Sequence, residues 1–168
     1  MGLLTPGQNF THLLDVISGW NGMHDLQYKA QPAALADWRR GSLVSLDPSG
    51  NFVAGLDVSH AMPIWTFNDT GDFDVNSDVG NISGGVVAGY PATGGYELVT
   101  TEYAVADVVA LAIPNAPIID AGAGLVGAGA VPVLAAESIV GVVSAGIRTE
   151  VYGQSVLQFW PVYLPARA

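Results

Sequence analysis

From Trp38 onward, apolar and polar residues alternate in short runs, each broken by Gly, Pro, Asn or Asp. Alternation of this kind is the period-2 signature of strands with one buried face. "GSLVSLDPSGNFVAGL" is the clearest case: Leu43 to Leu46, a "DPSG" turn, then Phe52 to Leu56. Pro48 suits the second position of that turn and Gly50 the fourth. Further strands are expected at "MPIWTF" (62–67), "VVAGY" (86–90) and "YELVTTEY" (96–103). Two more apolar runs, "ADVVALAI" (106–113) and "SIVGVVSAGI" (138–147), predict core strands. "SVLQFWPVYL" (155–164) predicts a last strand, with Pro161 placing its end at an edge or a bulge. Turn signals recur about every ten residues, the spacing of a barrel or sandwich.

Residues 1–37 carry a different pattern. Phe10, Leu13, Leu14 and Ile17 stand at i, i+3, i+4 and i+7, with Asn9 to cap and Gly19 to stop, which allows one short helix. Around it, "TPGQ", "SGWNG" and "KAQPAALAD" read as an extended arm, able to pack on its own body or to reach a neighbour. The expected fold is therefore all-β: a single barrel- or sandwich-like domain over 38–168, with an N-terminal arm over 1–37 holding at most one short helix.

Composition sharpens this. With 21 Gly and 10 Pro in 168 residues, short strands and turns are favoured over long helices. The absence of Cys rules out disulfides and thiolate chemistry. Fifteen acids against five bases give a net charge of −10, so phosphate backbones and anionic membranes are repelled, and neither nucleic acid nor membrane is an expected partner. Ala121 to Ala136 is uncharged but too short and too rich in Gly and Ala to span a bilayer. Met1 to Asn9 lacks the basic start and apolar run of an export leader. Yet the mean hydropathy is +0.39, with only 12% charged residues. Either apolar surface is buried against partner chains, or the body is an unusually well-filled Gly/Ala/Val barrel.

Candidate chemistry is sparse. In "GDFDVNSDVGNISGG" (71–85), Asp72, Asp74, Asn76 and Asp78 fall on every second residue. An EF-hand loop beginning at Asp72 needs Gly at its sixth position and Glu at its twelfth, and finds Ser77 and Ser83. Strand alternation accounts for the same residues, with Phe73, Val75 and Val79 inward and the acids in water. "GAGLVG" (122–127) matches a dinucleotide fingerprint only literally, because Pro132 prevents the helix it must open. It is expected to be a Gly/Ala loop, costly to order and fixed on docking to a partner. His12, His24 and His60 form no metal-binding spacing, and neither Ser144 nor Ser155 sits in a nucleophile elbow. No enzyme activity, cofactor or metal is expected. A hydrolase using Asp72 and Glu97 lacks any motif. A calcium-dependent binding module, for example for carbohydrate, is the alternative that the Asp72/Asp74/Asp78 cluster motivates. Trp65 and Trp160 lie in strand patterns and read as core rather than as ligand platforms, whereas Trp20 and Trp38, in or near the arm, read as interface residues.

Several segments resemble tailed-phage capsid decoration (cement) proteins. "RRGSLVSLDPSGNFVAG" followed by "MPIW" resembles the family's opening hairpin. "DFDVNSDVGNISGG", "YPATGGYELVTTEY" and "IVGVVSAGIRTEVYGQSVLQFWPVYLP" are similar to further segments, so that the likeness runs from Arg39 to Pro165 with a gap between Ala104 and Glu137. The resemblance implies a β-rich domain that trimerises on the outer capsid face, binds the major capsid protein and stabilises the expanded head. On that expectation the inter-subunit or capsid contacts come from Phe10, Leu13, Leu14, Trp20 and Trp38 in and near the arm. Trp160, Tyr163 and Leu164 supply them from the tail.

Overall fold

The computed structural model describes residues 14–19, 26–28, 38–57, 63–66, 87–93, 95–131, 136–149 and 153–166. Eleven strands are assigned among them, in two antiparallel sheets. The strands are β1 (Leu14–Gly19), β2 (Leu26–Tyr28), β3 (Leu43–Leu46), β4 (Phe52–Ala54), β5 (Ile64–Thr66) and β6 (Val87–Pro91). They continue as β7 (Tyr96–Thr100), β8 (Pro117–Gly122), β9 (Leu125–Ala128), β10 (Ile139–Thr149) and β11 (Ser155–Leu164). One sheet runs β1-β7-β11-β10-β8-β9 and the other β2-β6-β5-β3-β4. The protein is an all-β, sandwich-like domain, as the alternation predicts.

Alternation along the strands builds two cores. Leu43 and Trp65 point into the space between the sheets, where they meet Leu98, Ile118, Val143, Leu157 and Phe159. Trp65 and Phe159 pack ring against ring there, centroids 5.0 Å apart and tilted by 51°. Their strand neighbours Val44 and Ile64 face the opposite side of the smaller sheet and bury Trp38 and Phe52 with them. Both faces of β3 and β5 are thus dry.

The "DPSG" turn joins β3 to β4 as expected. Gly50 N–H donates to the Asp47 carbonyl (3.0 Å), and the Asp47 carboxylate accepts from Ser49 N–H and Asn51 N–H, each at 2.8 Å. Pro161 lies beside a bulge, also as expected. Gly141 faces Pro161 and Ile139 faces Leu164, so β11 carries one residue more than β10 over that step.

Three expectations need correction. Leu14–Gly19, in the segment whose spacing allows a helix, is a strand paired with β7. Leu26–Tyr28 likewise pairs with β6, so part of the 1–37 segment is built into both sheets. Four apolar matches over eight residues are too few to separate the two periods, and β7 offers a ladder to join. Second, "ADVVALAI" is not a core strand. Val105–Asp107 forms a 3-10 turn that runs into a short helix, α1 (Val108–Leu111), and only Leu111 is buried. A continuous apolar run has no period to read, and here the helical turn sets the Asp107 carboxylate to accept from Ala128 N–H (3.1 Å). Third, "GAGLVG" is no loose loop. It closes the β8–β9 hairpin with Ala123 and Gly124 as the two loop residues. Both have positive φ, 53° and 79°, as a type I′ turn requires.

That hairpin tip also ties the sheets together. Gly124 accepts from Leu43 N–H (2.8 Å), and Asp120 accepts from Leu56 N–H (2.8 Å) while holding Gly122 N–H (2.9 Å). A side chain at 124 would collide with Ser42, so the close approach needs glycine as much as the turn does.

Candidate interaction surface

The residues singled out from the sequence separate into three groups. Phe10, Leu13 and Trp20 lie outside the described residues, as do His12, His24, His60 and the Asp72–Asp78 cluster. Leu14 opens β1 opposite Thr100. Trp38 is 2% exposed and packed with Val44, Phe52 and Ile64, which withdraws it from any interface: its indole fills the outer core of the smaller sheet. Trp160 and Leu164, by contrast, stand at the surface, 44% and 54% exposed, while Tyr163 is half-buried against the main core. Trp65 is fully buried, as its strand pattern predicts.

Of the arm candidates only Leu14 lies among the described residues, and it stands away from Leu164 at the end of the tail. Thr100 faces Leu14 on one side and Leu157 on the other, so Leu14 is level with the start of β11. Leu164 is seven residues further along, on the order of 23 Å away at ~3.3 Å per residue. Trp160 and Leu164, both exposed on β11, form a candidate surface.

Polar groups within the described residues serve the scaffold. Glu97 is buried and accepts from the Gln158 side-chain amide at 2.7 Å, linking β7 to β11. Tyr96 donates its hydroxyl to the Pro91 carbonyl. Thr100 Oγ1 donates to the Gly41 carbonyl (2.8 Å), a bond between segments 59 residues apart. Among the described residues no group of three or more His, Asp or Glu gathers in a metal-binding arrangement.

A second apolar surface escapes the sequence argument. Val105 and Val109 are 80% and 78% exposed, Ile113 is 59% exposed, and all three fall at four-residue spacing through the 3-10 turn, α1 and the turn that follows. Val108 beside them is also exposed. On a strand these residues would share one face and could line a core; wound as a helical turn, they share a face directed away from it. The signal that was available is the Pro114-Asn115 pair, which ends a helical turn as readily as it bounds a strand.

Compared with known proteins, the chain matches no family model, no curated protein and no solved structure.

Proposed function

We propose that this chain is a structural virion protein that binds the outer surface of a tailed-phage capsid as a homotrimer and stabilises the expanded head. The observation that carries the reading is an acidic chain, net −10, that keeps large apolar side chains such as Trp160 and Leu164 on its surface. Such a chain is repelled by packaged DNA and suits the outside of a shell, while its exposed apolar groups give it something to bury on the major capsid protein or on its own copies. The resemblance to decoration proteins points the same way, and its segments supply β3, β4, β7, β10 and β11 of the sandwich with parts of β5 and β6. Three linked subunits would combine weak individual footholds by avidity. The role calls for no catalytic group, cofactor or metal.

Two measurements test this. Light scattering of the purified chain should give a mass of about 52 kDa, three times the 17.4 kDa chain, unchanged by EDTA. Expanded phage shells stripped of decoration should then carry the protein into the pellet at saturating, not trace, occupancy. A protein that stays in the supernatant with such shells rules the reading out. A mass or stability that collapses in EDTA moves the weight to calcium-dependent binding.

A further inference from the structure

We draw no further inference here: the strongest candidate, the exposed apolar patch of Val105, Val109 and Ile113 on the helical turn between β7 and β8, carries none, because nothing in the structure shows what covers it.

Discussion

Trp38 and Trp160 carry the same indole at 2% and 44% exposure, and the difference follows from what each strand face meets. Trp38 closes the outer core against Val44, Phe52 and Ile64. Trp38→Ala should cost about 3–5 kcal/mol, the range for emptying a large aromatic site, read as a shift in denaturant midpoint. Trp160→Ala should leave stability within about 1 kcal/mol and show its effect in capsid retention instead. Equal stability losses in the two variants would mean that Trp160 is a core residue after all. At this scale the sequence places Trp65 in the core correctly, because it stands in an apolar run buried on both faces. The same reading of Trp160 fails, since its face of β11 is left uncovered at that point. The sequence also misplaces Trp38, which precedes the first clear strand and has no neighbours of known facing. Ala123 illustrates a similar blind spot: nothing in "AGAGL" says which residue must adopt positive φ until the β8–β9 register is known.

Elements differ in how much of their formation is local. The β3–β4 hairpin is legible because Asp47, Pro48 and Gly50 specify the turn and the flanking residues alternate. β1 is not, because its ladder partner β7 lies some eighty residues away in sequence. Its pairing has a consequence for the arm. Deleting residues 1–19 should remove the six-residue edge strand and lower the unfolding midpoint by ~4–8 °C, equivalent to roughly 2 kcal/mol in a chain of this length. Deleting residues 1–13 spares β1 and so tests the arm's part in capsid retention without that loss. If both deletions unfold at the wild-type temperature, β1 contributes nothing to the sheet. The helical segment over Val105–Leu111 is the converse case. Its apolar run fits a strand equally well, and the hydrogen bonds that bound it, to Val126 and Val143, come from strands that follow it in the chain.

For the whole molecule, charge and apolar surface pull against each other. With net charge −10 per chain, self-association must overcome repulsion that salt screens, the Debye length falling from ~10 Å at 0.1 M to ~3 Å at 1 M. Raising salt over that range should tighten the oligomer severalfold, measured by sedimentation or light scattering across a dilution series. Weakening instead would show that opposite charges, not apolar burial, hold the copies together.

Fold class, most strand positions, the excess of acids and the lack of any cysteine chemistry can be read from the residues alone, because these depend on composition and on patterns within ten residues or so. That Trp38 is buried and Trp160 exposed, that residues 14–19 extend a sheet, and that Val105, Val109 and Ile113 face outward emerges from the assembled fold. Each of those depends on a partner distant in the chain, and local pattern carries no record of which distant strand supplies the hydrogen bonds or the covering side chains.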